Sequence, residues 1–577
     1  MKNITPDNSQ YQSHKTAFFE AVPSLSVQDI EHKSIRQARV RIIMGLGIFT
    51  LFLFLLIVRL VEVSVFKSPI VFTVMKSNQI KPRADIEDRN GALLATTLET
   101  YSVFADPRKV WDIEASTEAI ISVLPDLDAA IVEERLSSEK SFVWIQRNLT
   151  PTERQSVFAL GLPELSFQIE PRRIYPRGKL AAHLLGFTDI DMNGVAGVEQ
   201  ALDARLSEKG AAKVRLSIDM GVQFSLGEEL QFGMDKYQAK TASGVVLNIK
   251  TGEILAMTSL PDFDPNKPGT ASPQSLHNHA SVSVYELGST FKPITMALAH
   301  ESGVIKDGET LPVQNKLVIR KKSIQDDHPS YVPLDIWDVL AKSSNRGSAI
   351  LALRAGGDKQ QDLLRRLGLF ARVPIELKES AAPLLPREWQ DITTATVSYG
   401  HGISVTPLAL ATAIGALLNG GIYVPPTVLK RDAGTGAIGR RAVSKQTSEF
   451  LVDMMRYVVT NGTGKNARVS GYEVMGKTGT AEKLVDGQYD KTRLVTSFVA
   501  AFPYHDPTYL VLIVYDEPNA ADDTYGRASA GWNAARTAGA VVERIAPVLG
   551  VKRTATPSAQ KLASRALYFT NEDGGGQ

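Results

Sequence analysis

Seventeen consecutive residues, Ile42 to Val58, carry no charge, and this run constrains the chain more than any other feature. It is long enough to span a bilayer as a helix if Arg59 snorkels and Leu60 to Val63 contribute. Lys33, Arg36, Arg39 and Arg41 crowd the segment before it. That basic cluster places the N-terminus in the cytoplasm and everything after Val63 outside it. A cleaved signal peptide fits worse, because the preceding region is long and Arg59-Leu60-Val61-Glu62-Val63 offers no small-x-small cleavage site. Residues 1–41 are polar and lack an apolar period, so they read as a mostly disordered cytoplasmic tail, followed by a membrane anchor over 42–63.

The remainder is large enough for two or more folded parts, being most of a 577-residue chain that is 44% hydrophobic and 22% charged. A net charge of +2 gives no reason to expect a nucleic-acid partner. With no cysteine, disulfides and thiolate metal sites are excluded. Residues 64–216 alternate short β-like runs with turn signals, among them Asn90-Gly91, and carry helical patches around 115–137 and 151–160. No nucleophile and base stand out there, which suits a non-catalytic pedestal.

Residues 217–550 read differently. Two apolar runs flank Lys250-Thr251-Gly252 as a hairpin, helical patterns fill 292–303, 335–356 and 406–419, and Arg493–Phe502 and Tyr509–Tyr515 are strand-like before a closing helix over Ala534–Val548. Strands at both ends of a helical middle predict an α+β domain, an antiparallel sheet with helices on its faces. Residues 551–577 are polar and glycine-ended, hence a disordered tail.

The chemistry concentrates in three stretches of this domain. In Tyr285-Glu286-Leu287-Gly288-Ser289-Thr290-Phe291-Lys292-Pro293, a loop turns into a helix at Ser289. Positions three apart share a helix face, so the Ser289 hydroxyl and the Lys292 amine would sit side by side at the positive helix end. Pro293 falls in the first turn, where a missing N–H does least harm. Alone, Ser-x-x-Lys is weak evidence, and its bland reading is a helix start with a solvated lysine. It gains weight from Ser343-Ser344-Asn345 and Lys477-Thr478-Gly479-Thr480, which follow in the order known for penicillin-binding proteins and class A β-lactamases.

With those three motifs the chain resembles the serine acyltransferases that act on D-Ala-D-Ala peptides. Upstream, Ile86-Glu87-Asp88-Arg89-Asn90-Gly91, Arg172-Arg173-Ile174-Tyr175-Pro176, His183-Leu184-Leu185-Gly186 and Gly194-Val195-Ala196-Gly197-Val198-Glu199 resemble the non-catalytic, dimerisation-type domain of class B penicillin-binding proteins. Ser398-Tyr399-Gly400-His401-Gly402-Ile403 is similar to the division-type members. Leu287, Ala84 and Arg346 depart from the pattern, which usually has a proline, a glycine and an aliphatic residue there. The resemblance implies a peptidoglycan D,D-transpeptidase of septal wall synthesis that is a target of β-lactams. It is expected in the bacterial inner membrane as a single-pass protein with a periplasmic catalytic domain. Implied partners are D-Ala-D-Ala stem peptides, an FtsW-type glycosyltransferase and other divisome membrane proteins.

The roles follow in part from chemistry. Ser289 must lose a proton to attack a carbonyl, and Lys292 can accept it if burial and the nearby cation Lys477 pull its pKa down. Ser343 would relay a proton to the leaving amine, and Asn345, with donor and acceptor on one amide, could hold Lys292 and the substrate together. Both belong on a turn between helices, since residues two apart diverge on a helix. Lys477 and Gly479 share one face of a strand and Thr478 and Thr480 the other, so an edge strand is expected, with Gly479 admitting the substrate peptide. The resemblance implies that Lys477, Thr478 and Thr480 bind the terminal carboxylate, and that the N–H groups of Ser289 and Thr480 form the oxyanion hole.

Rival readings are weaker. Gly471-Tyr472-Glu473-Val474-Met475-Gly476-Lys477-Thr478 formally fits a phosphate loop, yet its interior is strand-like and glycines soon break any helix. A β-lactamase would need a water-activating carboxylate, and no Glu-x-x-Leu-Asn lies between Asn345 and Lys477. His401 among glycines reads as a loop residue rather than a triad member. A catalytically silent penicillin-binding scaffold would keep the same motifs. No His/Asp/Glu cluster has metal-ligand spacing, so neither cofactor nor metal is expected.

Overall fold

The computed structural model describes residues 27–61, 83–432, 439–485 and 487–554. The chain forms two compact units, one within residues 1–77 and one within 78–577.

In the first unit a single helix runs over Val27–Val61. Its stretch Arg39–Val61 is long and apolar enough to cross a membrane, and every side chain in it is exposed. Thr50 Oγ1 satisfies itself on the Leu46 and Gly47 carbonyls, at 2.9 and 3.0 Å. The expectation of disorder up to residue 41 fails from Val27 onward. Residues 27–41 contain no glycine or proline and many helix formers, and extending an existing helix needs no new nucleus. Residues 1–26, the last two of the expected anchor (62–63) and the start of the expected pedestal (64–82) lie outside the described residues.

The second unit begins with the pedestal. Strand Leu93–Ala105 pairs antiparallel with Ile86–Glu87, Val143–Leu149 and Leu165–Ile174. Asp88 builds the turn at Asn90-Gly91, accepting the Asn90 and Ala92 N–H groups at 2.8 Å each. Helices Ile113–Val123, Ala129–Leu136 and Pro151–Ala159 close a small core of Val103, Ile120, Val132, Ile145 and Val157. Two of the segments that carried the upstream resemblance, through Arg173 and Glu199, meet Arg83 in a buried ion cluster. Glu199 takes Arg83 Nε at 2.5 Å and Arg173 Nε at 2.7 Å, and Asp203 takes Arg83 Nη1 at 2.7 Å. Removing one partner of such a buried group strands a charge, so the cluster fixes how these distant segments meet.

In the catalytic part, five antiparallel strands lie in the order Met475–Val485, Gln488–Phe502, Tyr509–Asp516, Thr241–Asn248, Ile254–Leu260. Helices Met220–Tyr237 and Ala534–Val548 cover one face through Leu226, Leu230, Val541 and Ile545. The other face packs on a helical layer around Pro407–Leu418, which is buried along its whole length. The α+β architecture is the expected one. Ser217 Oγ donates to Ile254 O at 2.7 Å, tying the first residue after the pedestal to this sheet. Val551 and Thr554, placed in the C-terminal tail by sequence, are held to Ala546 O and Gly471 O at 2.9 Å. The rest of that tail lies outside the described residues.

Candidate active site

Gly288 (φ +55°) turns the chain into a short 3₁₀ segment, Gly288–Phe291, which continues as helix Lys292–Glu301. Ser289 is half-buried in this turn and Lys292 is completely buried one turn on. Thr290 Oγ1 closes the turn onto Leu287 O at 2.7 Å. Leu287, in place of the usual proline, is itself core.

Two glycines clamp the turn from outside. A Cβ on Gly400 (φ +79°) would stand 2.2 Å from Gly288 O, and one on Gly479 would stand 2.5 Å from Leu287 O and 2.8 Å from Thr290. Gly479 therefore makes room for the nucleophile turn. This intramolecular approach is a second reason for a glycine there, beside the expected passage of the substrate peptide.

Lys292 Nζ donates to the Ser343 carbonyl and, at 3.1 Å, to Ser343 Oγ. Lys477 Nζ reaches the same Oγ at 2.9 Å, with Thr478 O at 2.9 Å and Thr478 Oγ1 at 3.3 Å. Burial pushes the Lys292 amine down to about 7, with Asp326 and Asp327 opposing. Burial also pushes Lys477 well down, and the neighbouring Lys292 charge adds to it. Two buried amines on one hydroxyl cannot both be ammonium at low dielectric, so the pair titrates as a unit and supplies a neutral amine near pH 7. Burial, rather than the Lys477 charge, is what lowers Lys292. Ser289 Oγ makes no hydrogen bond among the described residues, and it is free to turn toward a ligand or toward Lys292.

Ser343 lies in the turn between helices Ile336–Ala341 and Asn345–Ala355, as expected, whereas Asn345, expected on the same turn, is the first residue of the second helix. Ser343 has a left-handed φ of +62°. That costs about 1 kcal/mol or more for a residue with a Cβ and is typical of functional sites. Asp326 supports the turn, and sequence reading missed it. Its carboxylate accepts Asn345 N at 2.5 Å, Arg346 N at 3.0 Å and Ser344 Oγ at 2.9 Å, sitting at the helix N-terminus where a negative charge is favoured. The only signal was an unexplained Asp326-Asp327 pair in a loop. Asn345 differs from expectation, since its Nδ2 donates to Gln325 O at 2.8 Å rather than holding Lys292. The short amide is claimed by the loop that Asp326 brings close. Arg346, where an aliphatic was usual, fastens the same loop through Ile324 O at 3.1 Å and Val313 O at 2.9 Å.

Met475–Val485 is an edge strand, with Lys477 opposite Val499 and Thr480 opposite Thr496. Lys477 and Gly479 face the nucleophile turn. On the other side Thr478 Oγ1 meets Thr463 Oγ1 at 2.8 Å, and Thr480 Oγ1 accepts Ala530 N at 3.1 Å. The phosphate-loop reading falls here, because Lys477 lies in a strand, buried against Ser343, and opens no helix. His401 packs between Tyr399 and Tyr489, at ring distances of 5.2 and 5.6 Å. Among the described residues no cluster of three His, Asp or Glu could hold a metal.

A serine one turn ahead of a buried lysine, with a second lysine reaching in from a sheet edge to share a bridging serine, defines the penicillin-interactive serine acyltransferases. Residues 242–538 match the penicillin binding protein transpeptidase domain, and residues 79–219 match the penicillin-binding protein dimerisation domain. The chain belongs to this family of transpeptidases, in its two-domain, division-type branch. It is 41% identical over 483 residues to a probable peptidoglycan D,D-transpeptidase FtsI of Caulobacter vibrioides, covering 82% of each chain. It is 31% identical over 487 residues to the peptidoglycan D,D-transpeptidase FtsI of Escherichia coli K12, covering 78% of this chain and 81% of that one. Penicillin binding protein 3 of Mycobacterium tuberculosis, solved in complex with aztreonam, superposes with a TM-score of 0.65 at 26% identity, covering 82% of this chain and 97% of that one.

Proposed function

We propose that this enzyme, a serine-type peptidoglycan D,D-transpeptidase, cross-links stem peptides in septal wall synthesis through an acyl-enzyme on Ser289. One observation carries the reading: two buried amines converge on Ser343 Oγ, one turn from the serine. Neutral Lys292 takes the Ser289 proton as Oγ attacks the carbonyl of the penultimate D-alanine. The N–H groups of Ser289 and Thr480 receive the developing oxyanion, each worth about 3 kcal/mol of barrier. Ser343 passes a proton from the lysine pair to the departing D-alanine amine, and the C–N bond breaks. The acceptor amine then attacks the ester, gives its proton back through the same groups and releases Ser289. Lys477, Thr478 and Thr480 hold the terminal carboxylate, and Gly479 between them lets the strand lie close to the nucleophile turn. Asn345 orients the peptide once its amide leaves Gln325. A β-lactam enters by the same route and keeps its leaving group attached. Intact mass after benzylpenicillin tests this: the protein should gain the drug's mass and Ser289→Ala should not, whereas labelling at another serine overturns it.

The proposed regions are a cytoplasmic segment 1–41, whose helix from Val27 runs on into the anchor 42–63, then a pedestal 64–216, a transpeptidase domain 217–550 and a C-terminal segment 551–577. Charges before the apolar run support an N-terminus in the cytoplasm and a catalytic domain in the periplasm. Arg59 at the outer end of the span suits docking on a multi-span membrane partner such as an FtsW-type glycosyltransferase. Exchange of residues 42–63 for an unrelated single-span helix should abolish co-purification with that partner; wild-type recovery would reduce the segment to a tether.

A further inference from the structure

Beside the cleft, strands Leu317–Ile319 and Lys322–Ile324 form a hairpin in which Ile319 pairs with Lys322, leaving Arg320 and Lys321 as its two-residue turn. Both have positive φ, +46° and +70°. Asn-Gly normally fills such a turn, because an L side chain there is strained. The chain instead places two cations at the tip, with Lys322 beside them and Lys316 at the base of the first strand. All four are exposed, and none forms a salt bridge among the described residues. Arg320 donates to Gln390 Oε1 at 2.5 Å, and Gln390 Nε2 in turn donates to Glu388 at 2.6 Å. On a chain of net charge +2 this is a concentrated patch.

The hairpin is rigidly joined to the active site at its other end. Arg346 holds Ile324 O, Asn345 holds Gln325 O, and Asp326 holds the start of the Asn345 helix. An anion captured at the tip would thus lie on the wall that leads to Ser343. We propose that this hairpin is a cationic guide that engages the carboxylate-bearing peptide arms of polymeric wall strands and feeds them to the cleft. The inference rests on the transpeptidase reading above, which makes that polymer the substrate. Strain at Arg320 and Lys321 is the independent support: it serves no packing purpose in an exposed turn, and it sets two guanidinium and ammonium charges outward.

The full-length protein in detergent tests this, with Arg320→Asn/Lys321→Gly and, separately, Lys316→Gln/Lys322→Gln. At low ionic strength each pair should raise KM for uncross-linked peptidoglycan strands about tenfold with kcat kept, and should flatten the rise of KM with salt seen in the parent. Benzylpenicillin, too small to reach the tip, should acylate all three proteins at rates within about twofold. The Asn-Gly variant should melt no lower than the parent, because it relieves the turn. An unchanged KM for strands in both variants overturns the proposal. So does an unchanged KM accompanied by lost binding to anionic phosphatidylglycerol vesicles, which would make the patch a lipid contact. A parent that penicillin fails to acylate would instead overturn the transpeptidase reading.

Discussion

Lys292 and Lys477 place their side-chain nitrogens on a single oxygen, Ser343 Oγ, at 3.1 and 2.9 Å, and both are completely buried. A hydroxyl so placed can pass a proton between the amine one turn from Ser289 and the one that reaches in from the sheet edge. Protonation of both amines would put two cations about one oxygen apart in a dry site, which is why the pair holds a neutral amine near neutral pH.

Ser343 separates chemistry from strain. Ser343→Gly removes the hydroxyl and also relieves the left-handed backbone at φ +62°. It should lower the acylation rate by about 10² to 10³ while melting no lower than the parent. Ser343→Ala should lose the same rate and be less stable than Ser343→Gly by about 1 kcal/mol. Stopped-flow acylation and thermal melts read both, and a fully active glycine variant would remove Ser343 from the proton path.

Asp326 acts on the site at one remove. Asp326→Asn keeps its shape but removes the charge at the helix N-terminus, so stability should fall by about 1 kcal/mol. The carboxylate raises the Lys292 pKa against burial. Its loss should therefore move the acylation midpoint to lower pH, and a midpoint that stays put would leave Asp326 only a cap.

Gly479, expected to admit the substrate peptide, also lies close against Leu287 O. Gly479→Ala should displace the nucleophile turn, costing about 1–3 kcal/mol of stability and at least tenfold in acylation. If the role were substrate clearance, the variant would keep its melting temperature and lose only recognition. Melts run with and without bound penicillin separate these.

Much of this was legible because motif chemistry and local rules act over short spans. Ser289 and Lys292 needed only helix spacing, Lys477 to Thr480 only strand alternation, and Asn90-Gly91 only turn chemistry. Asp326 was illegible, since its function arises from a loop folding back on a helix start 18 residues later, which no local pattern encodes. Asn345 went astray for the same reason, its amide being claimed by Gln325 O. The helix over 27–41 was missed because amphipathic period was asked of residues that merely extend an apolar helix. Gly400 read as a loop glycine, and Gly479 as a strand glycine that admits substrate, because the close approach of Gly288 and Leu287 to them is a long-range contact that no local pattern encodes.

The proposed mechanism requires Lys292 to be a neutral base at working pH. Its folded pKa lies near 7, below the 10.5 of a free lysine, so the unfolded chain binds the extra proton between those values. Stability contributed by this group thus rises with pH across that window and is weakest below about 7. The acylation rate constant with benzylpenicillin, measured from pH 5 to 9, tests the claim most directly. It should rise with a midpoint close to 7 and then level, and Lys292→Met should be slower by several decades with the step gone. A rate still climbing at pH 9, as for an ordinary lysine, or a Lys292→Met variant that keeps the parental step, would contradict it.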